Sequence, residues 1–144
     1  MRIQDVARRG RIVTTRPEAS VADLVALLAE HGIGAVVVLD AAGGLAGIAS
    51  ERDVVRRLAA GVADDTPLLE QPVDAIMTAV VHTCSPEDTT ADVMRVMTEH
   101  RVRHVPVLED GALVGIVSIG DVVKARLDEL AFERDQLDAY VHQG

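Results

Sequence analysis

Hydrophobic and polar positions along this chain predict short strands and amphipathic helices, and the same order of elements occurs twice. β-branched runs at 12–15 and 80–83 predict short strands. After each run, apolar residues recur three and four positions apart, which predicts an amphipathic helix. The matching apolar faces carry Val21, Leu24 and Leu28 in the first copy and Thr90, Val93 and Met97 in the second.

Capping signals delimit these two helices. A Ser or Thr followed three residues later by Asp predicts a capping box, with Asp in place of Glu, at each start. The residues that carry the start and end signals are Ser20-x-x-Asp23 and His31-Gly32 in the first copy and Thr89-x-x-Asp92 and His100-Arg101 in the second.

The second part of each copy predicts two strands and another helix. Runs that are apolar at every position predict strands buried on both faces, and a Gly-containing turn then predicts a hairpin. Asp53 and Asp121 are expected to open the following helix, because the helix dipole favours an acid in the first turn. The predicted strands are 35–39 and 45–50 in the first copy and 105–108 and 112–118 in the second.

The duplication defines the fold class. The copies are offset by 69 positions at their starts and by 68 at their ends, so one residue is lost in the hairpin region. A fixed internal period indicates a duplicated structural unit, here β-α-β-β-α twice in an α/β (α+β) fold. The expected domains are a first repeat at 3–61, a linker at 62–72, a second repeat at 73–128 and a C-terminal helical extension at 129–144.

The last helix is expected to run from about Asp121 to Val141. Its apolar residues fall at roughly heptad spacing and predict a partner helix, most simply in a second copy of the chain. The alternative is that this tail folds back on its own domain. The residues concerned are Leu127, Leu130, Leu137 and Val141, interrupted by Arg134.

Charge and composition exclude several classes of function. The net charge of −9 opposes broad attraction to nucleic acid or to an anionic membrane, although 100–104 form a local basic cluster. One cysteine, Cys84, excludes an internal disulfide and fits a reducing cytoplasm. The chain shows no apolar run of membrane-span length and no signal-like start, so we expect a cytoplasmic protein.

Two motifs at matching places give the chain a family resemblance. Gly47-Ile-Ala-Ser50-x-x-Asp53 and Gly115-Ile-Val-Ser118-x-x-Asp121 each close a repeat and resemble the CBS-domain family. The whole chain is similar to a tandem CBS pair, or Bateman module, of the small stand-alone bacterial type. The resemblance implies two sheets packed face to face with pseudo-twofold symmetry, dimerisation, and adenine nucleotides in two clefts between the repeats. The family's ligands are AMP, ADP, ATP, NAD and S-adenosylmethionine.

The resemblance also implies site residues. Asp53 and Asp121 would bind ribose, because a carboxylate accepts two hydrogen bonds from a cis-diol, and Ser50 and Ser118 would face ribose or phosphate. The opposite repeat would supply the adenine side of each cleft. These residues are Thr14, Ala22 and Ile33 for the Asp121 cleft and Thr83, Ala91 and Val102 for the Asp53 cleft.

The two predicted clefts differ on their phosphate side. Arg103 and His104 precede the buried strand of the second repeat and suit an anion. Their counterparts in the first repeat are Gly34 and Ala35, which carry no charge. We therefore expect the Asp121 cleft to hold a phosphorylated nucleotide tightly. Three alternatives stay open for the Asp53 cleft: weaker binding, a preference for an uncharged group, or a phosphate contact from Arg52.

Other interpretations of the same residues remain open. The serines and aspartates also suit plain helix caps, and Arg103 and His104 also suit a solvated rim. His82, Cys84, His100 and His104 invite a metal interpretation, but a helix ending at His100 and a strand starting at His104 would make that pair diverge.

The leading hypothesis is a non-enzymatic nucleotide sensor that signals to an unknown effector protein. No catalytic or metal residues are assigned, because the sequence contains neither a phosphate loop nor an evident base beside a nucleophile. The alternative is a ligand-free structural or protein-interaction module.

Overall fold

The computed structural model describes residues 1–7, 12–61, 67–79 and 82–143. Its helices are α1 (Ile3–Val6), α2 (Val21–His31), α3 (Glu51–Ala60), α4 (Thr90–His100) and α5 (Ile119–Gln143). Its strands are β1 (Thr14–Thr15), β2 (Ala35–Leu39), β3 (Leu45–Ser50), β4 (Thr78–Ala79), β5 (His104–Glu109) and β6 (Ala112–Ser118). The order of elements confirms two β-α-β-β-α series in a mixed α/β fold with a long C-terminal helix.

One compact unit contains residues 13–61 and 67–79 of the described chain. Its sheet has the order β1-β2-β3-β4, in which β1 and β2 are parallel and the other pairs are antiparallel. The apolar face of α2 packs on this sheet. The buried core residues are Val21, Leu24, Leu28, Val36, Val38, Ala49, Val73 and Ile76.

The other compact unit contains residues 1–7, 12 and 82–143 of the described chain. β5 and β6 form an antiparallel pair, and Cys84 adds a parallel bridge to Val107, as β1 does to β2 in the other unit. Ile3 of α1 is fully buried in this core. The other buried members are Cys84, Val93, Met97, Val105, Val107, Val117 and Val122.

The predicted helix starts are confirmed, but the capping boxes of α2 and α4 form only in part. The hydroxyls of Ser20 and Thr89 each accept a hydrogen bond from the backbone N–H three residues on, at 3.1 Å. The return bond from the Asp is missing at both caps. Another chain segment pairs with the backbone at each cap, Pro72 with Ser20 and Arg2 with Thr89.

The strand predicted at 80–83 is wrong at residues 82 and 83. The strand of this region is β4, two residues earlier, while 82 and 83 are not in a strand and 80–81 lie outside the described residues. β4 pairs with β3, whereas Cys84 pairs with Val107 in the other unit. The chain therefore passes from one unit to the other between these two pairings.

The linker and the last two helix starts also differ in detail from the sequence prediction. Residues 68–70 and 73–75 form 3₁₀ turns, and 62–66 of the expected linker lie outside the described residues. α3 and α5 begin two residues before Asp53 and Asp121, so each Asp lies in the first turn at the third helical position.

α5 extends well beyond its own unit's core. Every residue from 131 to 142 is exposed, so this part of the tail does not fold back onto the described chain. Within the described residues, we find no helix that combines the length and the apolar character needed to span a membrane.

Candidate functional sites

Ser50 and Asp53 form a closed turn where β3 passes into α3. The backbone N–H and hydroxyl of Ser50 donate to Asp53 Oδ2 at 2.9 and 3.0 Å, and the Asp53 N–H donates back to Ser50 Oγ at 3.3 Å. This is a complete capping box. It holds the Asp53 carboxylate beside the positive end of the α3 dipole, with only 8% of the residue exposed.

A third group reaches the same carboxylate from β4. The Thr78 hydroxyl donates to Asp53 Oδ1 at 3.1 Å. Thr78 lies opposite Ile48 of β3, so the strand pairing sets its position. Gly47 makes this pairing possible, since a Cβ there would lie 2.7 Å from the Thr78 carbonyl oxygen.

Ser118 and Asp121 form the corresponding turn between β6 and α5. The Ser118 N–H donates to Asp121 Oδ2 at 3.1 Å, and the Asp121 N–H donates to Ser118 Oγ at 3.1 Å. Asp121 is only half-buried. Among the described residues, no side chain takes the place at Asp121 that Thr78 takes at Asp53.

The residues predicted to face phosphate lie next to these turns. Ala35 pairs with Ser50 and His104 pairs with Ser118 across their sheets. The carbonyls of Gly34 and Arg103 each accept a hydrogen bond from the first N–H of the following helix, at 3.0 and 2.8 Å. The exposed Arg103 and half-buried His104 therefore lie beside the Asp121 turn, whereas the Asp53 turn has Gly34 and Ala35 in the same places.

Each unit thus brings together four of the predicted residues of one site. The predicted adenine-side residues lie in the opposite unit from the Asp to which each was assigned, and their roles stay predictions. Thr14, Ala22 and Ile33 are in the unit that contains Asp53, and Thr83, Ala91 and Val102 are in the unit that contains Asp121. Arg52 is exposed in the first turn of α3.

His82 and His100 contact each other, and Cys84 is buried. α4 ends at His100 and β5 begins at His104, as predicted, and the rings of His82 and His100 stack with centroids 3.9 Å apart. No cluster of three or more metal-ligating side chains occurs in the described part of the chain. Burial, reinforced by the negative charge of Asp88, raises the pKa of the Cys84 thiol to about 12, so the thiol stays protonated.

Sequence reasoning missed Thr78. Its contact with Asp53 depends on β4 joining a sheet formed by the other repeat, and no local pattern signals such a pairing. The sequence offers one clue that Thr78 is specific to one site. The repeat offset aligns Thr78 with Arg9, so the two repeats do not share a threonine at this place. Arg9 lies outside the described residues.

Both turns fall inside the ranges that match a known family. The sequence model of the CBS domain matches residues 3–60 and again 73–128. The chain belongs to the CBS-domain family. Its two CBS repeats contain the Ser50–Asp53 and Ser118–Asp121 turns at equivalent places.

Known CBS proteins resemble the chain in sequence and in fold. CBSX3, a mitochondrial CBS domain-containing protein of Arabidopsis thaliana, is 36% identical over 87% of this chain, which spans only 61% of that protein. The crystal structure of the CBS-domain containing protein ATU1752 from Agrobacterium tumefaciens is 46% identical, with a TM-score of 0.77 over 86% of this chain and 90% of that one. The structure of CBSX2 in complex with AMP is 25% identical, with a TM-score of 0.76 over 88% and 97%.

Proposed function

We propose that this chain is a non-enzymatic regulatory module that binds adenine nucleotides at two sites built around Asp53 and Asp121. The observation that carries the proposal is the pair of Ser-x-x-Asp turns, each of which holds a carboxylate beside a helix start and next to the end of a buried strand. The complex of the similar CBSX2 with AMP supports this class of ligand. AMP, ADP, ATP, NAD and S-adenosylmethionine are the candidates to test.

The Asp121 site is the proposed tighter site for a phosphorylated ligand. Arg103 and His104 lie beside that turn and offer a guanidinium and an imidazole to a phosphate, in addition to the α5 dipole. Gly34 and Ala35 offer only backbone at the other turn. The proposal includes the residues of the opposite repeat, Thr14, Ala22 and Ile33 at the Asp121 site and Thr83, Ala91 and Val102 at the Asp53 site, as the adenine side.

Ligand-induced thermal stabilisation tests the proposal. A ligand at about 100 times its dissociation constant adds roughly 2.7 kcal/mol to the stability of the folded state, which raises Tm by several degrees. We expect AMP to give this shift in nucleotide-free protein, with most of it lost in Asp121→Asn and less in Asp53→Asn. The shift is compared within each variant, because both substitutions also weaken a helix cap.

Asp92→Asn is the matched control. Asp92 also lies in the first turn of a helix, but it is exposed and belongs to neither turn. Its AMP shift should equal that of the wild type. Absence of a shift with all five ligands at millimolar concentration would contradict the proposal and favour a ligand-free protein-interaction module.

A second copy of the chain is the proposed partner of α5. Exposed apolar side chains and Arg134 follow one another at alternating intervals of four and three residues, which is the pattern of a two-helix interface. These side chains are Val123, Leu127, Leu130, Leu137 and Val141. The repeat helices are also proposed to contribute to dimerisation, and α3 carries the exposed apolar residues Val55 and Leu58.

Charge favours an antiparallel pair of α5 helices. In a parallel pair, Arg134 would face Arg134 of the second copy and Glu133 would lie beside Asp138, which places like charges together twice. In an antiparallel pair with Arg134 opposite Leu130 of the second copy, the two arginines separate and Lys124 comes beside Asp138. Only Glu133 then meets a like charge, its own counterpart in the second copy. Opposite charges at such flanking positions set the orientation of paired helices.

Sedimentation or light scattering tests the pairing. Leu130→Lys places a charge in the middle of the apolar stripe and should convert a wild-type dimer to monomer. Phe132→Lys is the matched control, because Phe132 is also an exposed apolar residue of α5 but lies off the stripe. A monomeric wild type, or a dimer that survives Leu130→Lys, would contradict the proposed interface. The apolar stripe of α5 would then be expected to bind an effector on another polypeptide.

A further inference from the structure

Asp53 and Asp121 differ in how many hydrogen bonds their carboxylates already accept within their own units. Asp53 accepts two hydrogen bonds from Ser50 and one from Thr78. Asp121 accepts only one, from the Ser118 N–H, among the described residues. An ionised carboxylate has about four acceptor positions, so about one remains at Asp53, whereas the described residues leave about three at Asp121.

A ribose diol needs two of these positions. Asp121 accepts both hydroxyls without losing a bond that it already makes. Asp53 accepts one, and a second would have to displace Ser50 or Thr78. Burial adds to the difference, since Asp53 is 8% exposed while Asp121 is half-buried.

The sheet holds the Thr78 hydroxyl at Asp53. β4 adds to β3 through the pairs Gly47–Ala79 and Ile48–Thr78. The glycine lets the β4 backbone come close, because any Cβ at position 47 would overlap it. Thr78 is β-branched, which restricts its χ1 angle, so little rotational freedom is lost when its hydroxyl bonds Asp53 Oδ1.

We infer that Thr78 is a specificity residue of the Asp53 site, because its hydroxyl occupies the place on the Asp53 carboxylate that a sugar hydroxyl would take. The Asp53 site then distinguishes ribose from deoxyribose poorly, while the Asp121 site distinguishes them well. This inference rests on the proposed binding of adenine nucleotides. It attributes the difference in sugar selectivity between the two sites to the side chain of Thr78.

Titration calorimetry with AMP and 2′-deoxy-AMP tests the inference on the full chain. Asp121→Asn isolates the Asp53 site, and Asp53→Asn isolates the Asp121 site. One hydrogen bond to a charged acceptor corresponds to roughly a tenfold change in affinity or more. We expect AMP to be preferred by about tenfold at the Asp121 site and by less than threefold at the Asp53 site.

Thr78→Val, made in the Asp121→Asn background, removes the hydroxyl and keeps the side-chain shape. The AMP preference of the Asp53 site should then rise to about tenfold. Thr78→Ser keeps the hydroxyl and should keep the low preference. Thr98→Val is the matched control, because the Thr98 hydroxyl donates to the Met94 carbonyl within α4 and touches neither Asp. Thr78→Ala provides a second hydroxyl-free variant if Thr78→Val alters the fold.

The outcomes separate the two proposals. AMP binding by neither single-site variant nor the wild type would defeat the proposed function itself. AMP binding with a preference at the Asp53 site that Thr78→Val and Thr78→Ala leave unchanged would overturn only the role of Thr78. Loss of all binding at the Asp53 site in both variants would also overturn it, because Thr78 would then hold Asp53 in place for the ligand.

Discussion

Arg101 occupies a backbone conformation that its counterpart in the first repeat fills with glycine. Gly32 ends α2 at φ 60° and ψ 40°, and Arg101 ends α4 at φ 54° and ψ 39°. This left-handed region disfavours residues that carry a Cβ. Arg101→Gly should therefore raise the free energy of unfolding by about 0.5–1 kcal/mol, after the extra freedom of glycine in the unfolded chain is allowed for.

Urea denaturation measures this change, and Arg101→Ala is its control. Alanine removes the guanidinium but keeps the Cβ, so it should give no gain in stability. Equal gains from glycine and alanine would instead attribute the effect to the arginine side chain.

Cys84 should make stability depend on alkaline pH. Its thiol pKa is about 12 in the folded protein, against an ordinary value of 9.0, because the thiol is buried and lies near Asp88. Between these two values the folded state binds more protons than the unfolded state, so the free energy of unfolding falls as pH rises. We expect a steeper fall from pH 9 to pH 11 in the wild type than in Cys84→Ala.

Denaturation curves at several alkaline pH values measure these slopes. A thiol reagent gives a second readout, since a protonated, buried thiol should react far more slowly in the folded chain than in urea. Equal slopes in the two proteins, or rapid labelling of the folded chain at pH 8, would contradict the raised pKa.

At the scale of the secondary-structure element, the pairing of β4 with β3 depends on a single glycine. A Cβ at position 47 would lie 2.7 Å from the Thr78 carbonyl oxygen and 3.0 Å from Met77 Sδ. Gly47→Ala should push β4 away from β3 and cost about 1–3 kcal/mol of stability. Gly61→Ala is the matched control, because a Cβ there meets nothing within 4 Å. Chemical denaturation compares the two, and equal losses would contradict a steric role for Gly47.

The same elements show what the sequence predicts and what it does not. The apolar faces and N-caps of α2 and α4 are local signals, and both helices start and end close to the predicted residues. Local β-branching predicts a strand at 80–83, but the strand that forms, β4, is set by pairing with β3 across 30 to 32 positions of sequence. Thr78 escaped prediction for that reason, although Ser50 and Asp53 lie together as their spacing predicts.

At the scale of the whole molecule, the compact units are not the sequence repeats. The first residues of the chain, including α1, belong to the unit that contains most of the second repeat. Val73 and Ile76 begin the second repeat in sequence but lie in the core of the unit formed by 13–61 and 67–79. Each unit therefore completes its core with a segment from the other repeat, an arrangement that the repeat offset does not reveal.

This exchange makes a prediction about where stability is lost. Ile3 and Val73 are both fully buried. Truncation to alanine should cost about 2–4 kcal/mol at Ile3 and less at Val73, which loses one carbon fewer. Ile3→Ala removes packing beside Val93, Met97 and Val105, and should speed amide hydrogen exchange in α4, β5 and β6.

Val73→Ala should have the complementary effect. It removes packing from the core of α2, β2 and β3, and exchange should rise there while α4, β5 and β6 keep their protection. If each sequence repeat were its own compact unit, Ile3→Ala would loosen the first repeat and Val73→Ala the second. The structure predicts the reverse, because Ile3 lies in the unit with most of the second repeat and Val73 in the unit with most of the first. Faster exchange in α2, β2 and β3 of Ile3→Ala would contradict the exchange of segments, and equal losses everywhere in both variants would show that the two cores unfold as one.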